Sequence, residues 1–219
     1  MPKRLVIFDL DGTLIDSLED LGAAVNHALS LRNLPLHTRE DYRKMVGHGV
    51  RNLVEKALEA SVGTGPFPSE EVDAARADFK EYYSAHIDVH TRPYPGIPEL
   101  LADLQAAGVR QAVASNKFQE GTERLIRSLF PDIQFVAILG NRPGYPLKPA
   151  PEIVQEVLRK ADIGPSDAVM VGDSPTDMRT AANGGVEGLA VTWGYRTADE
   201  LAGHRLVHSV PELRGLLFQ

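Results

Sequence analysis

Short apolar runs alternate with helical patterns over the second part of the chain. The runs that predict strands lie at 111–114, 135–139 and 167–171, and the helical patterns lie at 98–107, 118–129 and 150–160. A further apolar run begins at Val6, so the chain also opens with a predicted strand. Strands that alternate with helices indicate βαβ units, and therefore a parallel sheet covered by helices.

Residues 17–88 have a different pattern, which is helical almost throughout. Apolar residues recur at three- and four-residue spacing between Leu18 and Leu29, and further helices fit 39–46, 50–60 and 69–86. Ser17 and Asp20 have the spacing of a capping box. We therefore expect an all-helical domain, 17–88, inserted into a core made of 1–16 and 89–219. An insertion directly after the first strand can act as a lid.

Two aspartates follow the first predicted strand. Asp9 and Asp11 are two residues apart, so both carboxylates point to the same side of an extended chain. Like charges so close repel each other unless a cation lies between them or one is protonated. Gly12 permits a sharp turn, and the Thr13 hydroxyl could contact a bound anion. Taken alone, the pair would be read as ordinary turn residues.

A second acidic set changes that interpretation. Asp173 follows the predicted strand at 167–171, and Asp177 lies about one helical turn later. Ser115 stands at the end of another apolar run. Because the carboxyl ends of parallel strands share one edge of a sheet, Asp9, Ser115 and Asp173 should converge there. The sequence thus predicts a cation-dependent reaction site.

Composition limits the classes of function. The 219 residues are 43% hydrophobic and 24% charged, as in an ordinary soluble globular protein. A formal charge of −7 disfavours nucleic acid as a partner, and the lack of cysteine excludes disulfides and thiolate nucleophiles. Neither a membrane-spanning run nor a signal-peptide pattern is present, so a cytoplasmic location without membrane contact is expected.

Four segments together resemble the motifs of the haloacid dehalogenase-like hydrolases, in order and across nearly the whole chain. They are Asp9–Leu14, Ser115–Asn116, Lys148–Pro149 and Gly172–Asp177. The resemblance implies a doubly wound, Rossmann-like α/β fold with a small helical cap of the C1 type. Val46–Gly49 and Thr192–Arg196 further resemble segments of phosphoglycolate phosphatases.

The resemblance also implies a mechanism with two carboxylates in different roles. Asp9 would attack phosphorus to give an aspartyl-phosphate, and Asp11 would act as general acid and then as general base. Mg²⁺ would be the cofactor, bound by Asp9, the backbone carbonyl of Asp11 and Asp173. Asp177 would orient a water molecule on the metal.

Further residues are candidates for substrate binding. The phosphate-binding candidates are Thr13, Ser115, Asn116 and Lys148, of which Lys148 is also a catalytic candidate. Prolines at 149 and 151 restrict the loop that carries Lys148, which favours a functional role over that of a solvated lysine. In the helical insertion, His48 and Arg51 are candidates for contact with a substrate.

These features together predict a Mg²⁺-dependent phosphomonoester phosphatase that acts on 2-phosphoglycolate or another small phosphorylated metabolite. For phosphoglycolate, the family implies salvage of a product of DNA-end repair or of oxygenase side reactions. One alternative is a sugar phosphomutase of the same superfamily. Another is a signalling domain that stores a phosphoaspartate. The expected partner is a small metabolite, and the chain could be a monomer or a homodimer.

Overall fold

A parallel sheet organises the larger part of the molecule. The structure is a computed structural model that describes residues 3–63 and 65–219. Its strands are β1 (Leu5–Phe8), β2 (Ile15–Asp16), β3 (Arg92–Pro93), β4 (Arg110–Phe118), β5 (Phe135–Asn141), β6 (Ala168–Gly172), β7 (Glu187–Val191) and β8 (Leu206–Val207). Strands β2 and β3 pair with each other, and the other six form one sheet in the order β5-β4-β1-β6-β7-β8. All neighbours in this sheet are parallel.

The chain order reverses at the centre of the sheet. After β1 the chain adds β4 and β5 on one side, and it then returns to add β6, β7 and β8 on the other side. The predicted doubly wound α/β class is therefore confirmed. In such sheets, ligands bind at the carboxyl ends of the strands near the reversal. Here that position is the end of β1 and of its two neighbours.

The central strands are buried, which explains the uninterrupted apolar runs in the sequence. All four residues of β1 are fully buried, and all five residues of β6 are buried. A parallel sheet is covered by helices on both faces, so its inner strands are apolar without alternation. The strands that carry the first and second acidic sets thus lie in the buried centre of the sheet.

Helices supply the rest of the fold. They are α1 (Leu18–Ser30), α2 (Arg39–Met45), α3 (Val50–Val62), α4 (Ser69–His86), α5 (Ile97–Ala106), α6 (Gln119–Leu129), α7 (Glu152–Ala161), α8 (Pro175–Asn183) and α9 (Val210–Leu217). One face of the sheet buries Val154 and Val157 of α7 in the same cluster as Ile7 of β1. No helix among the described residues is long and apolar enough to span a bilayer.

Helices α1 to α4 belong to a compact unit of their own, Ser17–Arg92. Its core includes Phe79 and Tyr83 of α4, whose rings stack with centroids 5.2 Å apart and are fully buried. The second unit comprises the chain up to Asp16 together with Pro93–Gln219. The return to the core therefore falls after residue 92, whereas the sequence suggested 88.

Some local expectations were wrong. The Ser17 side chain does not cap α1. The Asp20 carboxylate instead accepts hydrogen bonds from the backbone N–H of His90 and Thr91, at 2.8–3.0 Å, and from the Thr91 hydroxyl at 2.7 Å. Strand β4 also continues to Phe118 instead of ending near Ala114. Elements β7, β8 and α9 had no counterpart in the sequence prediction.

The Asp20 contacts give a stability prediction for the helical unit. Asp20→Ala leaves the N–H and the hydroxyl of the buried Thr91 unpaired, and each such group costs about 1–3 kcal/mol. We expect the free energy of unfolding in urea to fall by about 3 kcal/mol, and Asp20→Asn, which keeps an acceptor, to lose less. The neighbouring exposed Glu19→Ala is the control. Equal stability of the two alanine variants would contradict the structural role of Asp20.

Candidate active site

Two acidic residues meet at the carboxyl end of the central strands. Asp9 directly follows β1 and Asp173 directly follows β6, and these strands are hydrogen-bonded neighbours with Phe8 in register with Val171. The Asp9 N–H donates to the carbonyl of Val171 at 2.9 Å, which continues the pairing into the loops. Residues that are 164 positions apart in sequence therefore lie side by side on one edge of the sheet.

A third carboxylate comes from the start of α8. Asp177 and Ser174 form a capping box, in which the Ser174 hydroxyl and N–H donate to Asp177 Oδ2 at 2.6 and 3.1 Å. These bonds fix the side chain of Asp177, which is completely buried. Carboxylate oxygens of Asp9, Asp173 and Asp177 all lie within 4.8 Å of one another. We call these three residues the acidic cluster.

Lys148 is the cation that contacts the acidic cluster. Its Nζ lies 2.8 Å from Asp9 Oδ1 and 2.6 Å from Asp177 Oδ1, and its side chain is only 2% exposed. The Asn116 side chain holds the backbone of Lys148, because its Oδ1 accepts the Lys148 N–H at 2.8 Å and its Nδ2 donates to the Lys148 carbonyl at 3.2 Å. Asn116 thus positions the lysine loop. Its contact with phosphate stays a prediction.

Burial and mutual repulsion shift the pKa values of the acidic cluster. Loss of hydration raises the pKa of Asp9 to about 7, the charge of Asp177 adds to the rise, and Lys148 opposes it. Burial, then the charges of Asp177 and Asp9, raise the pKa of Asp173 well above its ordinary value. Burial tends to lower the pKa of Lys148, but Asp177 and Asp9 outweigh that effect and raise it. One ammonium group therefore does not balance the three carboxylates.

This charge imbalance fits a bound cation. The donors of the acidic cluster are all carboxylate oxygens, which are the ligands preferred by hard divalent ions such as Mg²⁺ and Ca²⁺. A divalent ion bound there would supply the missing positive charge and favour the ionised carboxylates. The arrangement therefore has the composition, spacing and charge of a divalent metal site.

Glycines make room for the carboxylates. A β carbon on Gly172 would overlap the side chain of Asp177, and one on Gly12 would overlap the carboxylate of Asp173. Gly12 also has a φ of +87°, which disfavours any other residue. Both positions thus require glycine because a side chain passes within contact distance of the backbone.

Asp11 has a partner that the sequence analysis missed. Lys117 Nζ lies 3.1 and 3.2 Å from the two carboxylate oxygens of Asp11. The Lys117 side chain is 2% exposed and that of Asp11 is 20% exposed. A lysine at the end of a buried strand, directly after the Ser115–Asn116 motif, was an available signal for this residue. The Asp11 side chain is thereby held within the same unit as the acidic cluster.

Two hydroxyl groups near these residues are buried. The Thr13 hydroxyl lacks a hydrogen-bond partner among the described residues and has no solvent exposure. Ser115 is 3% exposed, and its Oγ accepts the N–H of Lys117 at 3.2 Å. An unpaired buried hydroxyl is costly, so Thr13 has unused capacity to bond a ligand.

The two cap candidates lie in the helical unit. The Arg51 guanidinium forms a close ion pair with Asp73 and donates to Ser69 Oγ at 2.8 Å. His48 is exposed, at the turn that precedes α3. The contacts of Arg51 are those of a residue that joins α3 to α4. Contact of His48 or Arg51 with a substrate stays a prediction.

Comparison with known proteins assigns the chain to a family. The family model for haloacid dehalogenase-like hydrolases matches residues 6–191. This chain belongs to the haloacid dehalogenase-like hydrolases. The match includes Asp9, Lys148 and the second acidic set, and it confirms the resemblance seen in the sequence.

Curated relatives within this family extend over most of the chain. A phosphoglycolate phosphatase of Mesorhizobium japonicum is 36% identical over 200 residues, which cover 89% of this chain and 85% of the relative. Phosphoglycolate phosphatase 1 of Pseudomonas aeruginosa is 37% identical over 220 residues, which cover 98% and 78%. Similar phosphatases therefore span both the sheet unit and the helical insertion.

Solved structures agree with the fold over the whole chain. The crystal structure of a protein from Lactobacillus delbrueckii subsp. bulgaricus matches this chain with a TM-score of 0.93 at 32% identity. The match covers 100% of this chain and 99% of that chain. The structure of CbbY from Rhodobacter sphaeroides, in complex with phosphate, has a TM-score of 0.81 at 27% identity and covers 96% of each chain.

The raised pKa of Asp9 gives a pH prediction for the metal-free protein. Between the unfolded value of 3.8 and the folded value of about 7, the folded state binds more protons than the unfolded state. The contribution of Asp9 to stability therefore falls as pH rises through this range, and it is lowest above 7. A divalent cation must compete with protons at low pH. We expect Mg²⁺ to raise the melting temperature more at about pH 8 than at about pH 5.

Paired thermal melts with EDTA or MgCl₂ would measure this difference. The exposed Asp199→Asn variant is a control that should behave like the unaltered chain, because Asp199 lies outside the acidic cluster. Equal stabilisation by Mg²⁺ at both pH values would argue against titration of buried carboxylates at a metal site.

Proposed function

We propose that this phosphatase hydrolyses small phosphate monoesters, that 2-phosphoglycolate is its substrate, and that it requires Mg²⁺. The observation that carries the proposal is the position of the Asp9 carboxylate at the carboxyl end of β1, where it contacts Lys148 and lies within 4.8 Å of the other members of the acidic cluster. The phosphoglycolate phosphatases that match 89% or more of the chain support the substrate.

Asp9 has the surroundings expected of a nucleophile. Its Oδ1 accepts the N–H of Leu10 at 2.7 Å and contacts Lys148 Nζ at 2.8 Å. These two contacts hold Oδ1 in place, so an incoming phosphate meets a carboxylate of defined position. In the first step, an Asp9 oxygen forms a bond to phosphorus while the bond from phosphorus to the ester oxygen breaks.

Asp11 is the proposed proton carrier. It gives a proton to the departing alcohol oxygen, and it then takes a proton from the water that attacks the phosphorylated Asp9. The second step breaks the bond between Asp9 and phosphorus and releases inorganic phosphate. The ion pair with Lys117 keeps the Asp11 carboxylate close to one position through both steps.

The remaining residues bind charge and phosphate. Asp9, Asp173 and the carbonyl of Asp11 would hold Mg²⁺, which when bound supplies positive charge toward the phosphate and the ionised nucleophile. Lys148 adds a fixed positive charge. The unpaired hydroxyl of Thr13 and the buried hydroxyl of Ser115 are available to phosphate oxygens.

Neither alternative function is favoured by a specific contact of the described residues. A sugar phosphomutase would need the phosphate to be returned to a second position of the sugar. A domain that stores a phosphoaspartate would need slow hydrolysis, and the membership of the chain in a hydrolase family favours turnover. Cytoplasmic location and a role in metabolite salvage stay predictions.

Replacement of Asp9 tests the nucleophile. Asp9→Asn replaces the attacking carboxylate with an amide, which is a poor nucleophile. We therefore expect turnover to fall by at least about 10³-fold. The variant should melt no lower than the unaltered chain in EDTA at about pH 8, because it removes one buried negative charge. Asp199→Asn should retain full activity. Residual turnover of Asp9→Asn above a few per cent would exclude Asp9 as the nucleophile.

A kinetic comparison of substrates tests the remainder of the proposal. We expect kcat/KM for 2-phosphoglycolate to exceed that for p-nitrophenyl phosphate by at least about tenfold, which corresponds to about 1.4 kcal/mol of transition-state binding. Incubation with glucose 1-phosphate should release phosphate or leave the ester unchanged. Formation of glucose 6-phosphate would favour the mutase, and a single stoichiometric burst of p-nitrophenol would favour the storage domain.

A further inference from the structure

The segment after β7 contacts the acidic cluster but supplies none of its carboxylates. The indole N–H of Trp193 donates to the carbonyl of Thr13 at 3.1 Å. The backbone N–H of Tyr195 donates to Asp173 Oδ2 at 2.7 Å. The turn Trp193–Tyr195 is therefore bonded both to the loop that carries the first aspartates and to an aspartate of the second set.

Gly194 is the residue of this turn that lies closest to Gly12 and Asp173. A β carbon on Gly194 would overlap the carbonyl oxygen of Gly12 and both Cβ and Oδ2 of Asp173. The φ angle of Gly194 lies outside the positive range that favours glycine, so other residues could adopt its backbone conformation. The requirement for glycine at this position is thus one of space beside the Asp173 carboxylate.

The two carboxylate oxygens of Asp173 have different contacts. Oδ2 lies between Gly12 and Gly194 and accepts the Tyr195 N–H, whereas Oδ1 accepts no hydrogen bond from the described residues. The side chain is 3% exposed and has little freedom to rotate. One oxygen is occupied by the protein, and the other is left for a ligand.

We propose that the turn Trp193–Tyr195 is a positioning element that holds Asp173 as a one-oxygen ligand, and that it thereby makes the cation site selective for Mg²⁺ over Ca²⁺. This inference rests on the proposed function, because it requires a divalent cation at the acidic cluster. It assigns to Gly194 and to the Tyr195 N–H a role that neither residue type suggests by itself.

The chemistry of the two cations gives the reason. Mg²⁺ is small and demands a nearly ideal octahedral set of oxygens, so it gains from a carboxylate that presents one fixed oxygen. Ca²⁺ accepts irregular geometry and often takes both oxygens of a carboxylate. Partners that orient a metal ligand typically contribute 10- to 100-fold in metal affinity. Loss of the turn contacts should therefore cost more affinity for Mg²⁺ than for Ca²⁺.

Gly194→Ala tests this role directly, with Gly164→Ala as the matched control. A β carbon on Gly164 meets open space, and the residue has an ordinary φ of −73°. Isothermal titration of the metal-free proteins with MgCl₂ and with CaCl₂ gives both affinities without substrate. We expect Gly194→Ala to bind Mg²⁺ about 10- to 100-fold more weakly, and Ca²⁺ with a smaller loss. Gly164→Ala should bind both ions as the unaltered chain does.

A spectroscopic readout reports on the turn itself. Trp193 is the sole tryptophan of the chain, so intrinsic fluorescence comes from this position apart from tyrosine. In Gly194→Ala, the fluorescence midpoint of the Mg²⁺ titration should shift to higher concentration together with the calorimetric affinity. Melting temperatures in EDTA identify any variant that fails to fold.

Trp193→Phe provides the second variant in case Gly194→Ala does not fold. It keeps an aromatic ring but removes the N–H that is donated to Thr13. Loss of one such bond should weaken Mg²⁺ binding by about two- to tenfold. If Gly194→Ala is unfolded, unchanged Mg²⁺ affinity of a folded Trp193→Phe variant overturns the inference.

Asp173→Asn separates failure of the inference from failure of the proposed function. If Asp173→Asn loses Mg²⁺ binding while folded Gly194→Ala keeps both the affinity and the Mg²⁺/Ca²⁺ ratio, the positioning role is wrong and the metal site stands. An equal loss for both ions in Gly194→Ala overturns the selectivity. If Asp173→Asn binds Mg²⁺ as tightly as the unaltered chain does, the proposed metal site itself is wrong.

Discussion

Three buried carboxylates, only two of which contact a lysine ammonium, are the constraint on which the site depends. Asp9, Asp173 and Asp177 are removed from water, and Lys148 is the residue that directly offsets their charge. Buried charge is tolerated in proteins only when it is paired, protonated or bound to a metal. The raised pKa values of Asp9 and Asp173 express this imbalance. A phosphate ester would add further negative charge, so a cation and the substrate belong together in this arrangement.

The sheet provides the stability that such a cluster requires. Strands β1 and β6 are apolar on both faces and lie next to each other, so the residues that follow them are fixed by the core of the molecule. The N-terminus of α8 then satisfies Asp177 through Ser174. The apolar burial of the strands thereby offsets the cost of holding like charges close together.

Close packing of backbone around the carboxylates gives the site its precision. Gly12, Gly172 and Gly194 each lie where a β carbon would overlap a carboxylate of the acidic cluster. Asn116 also restricts the site, because its side chain holds the backbone of Lys148 through two hydrogen bonds. Groups that are fixed before a ligand arrives need little reorganisation when charge develops, which is the main source of electrostatic catalysis.

The sequence by itself determined strands β1, β4, β5 and β6, the helical insertion and the positions of the acidic residues, because these depend on local periodicity and on short motifs. The tertiary structure alone decided several polar contacts that no local pattern indicated. Lys117 pairs with Asp11 across 106 positions, and the Tyr195 N–H reaches Asp173 across 22. Asp20, expected to cap its own helix, bonds residues 70 and 71 positions away. A hydrogen bond or ion pair depends on distance in space, and no local pattern specifies which distant segments the sheet will bring together.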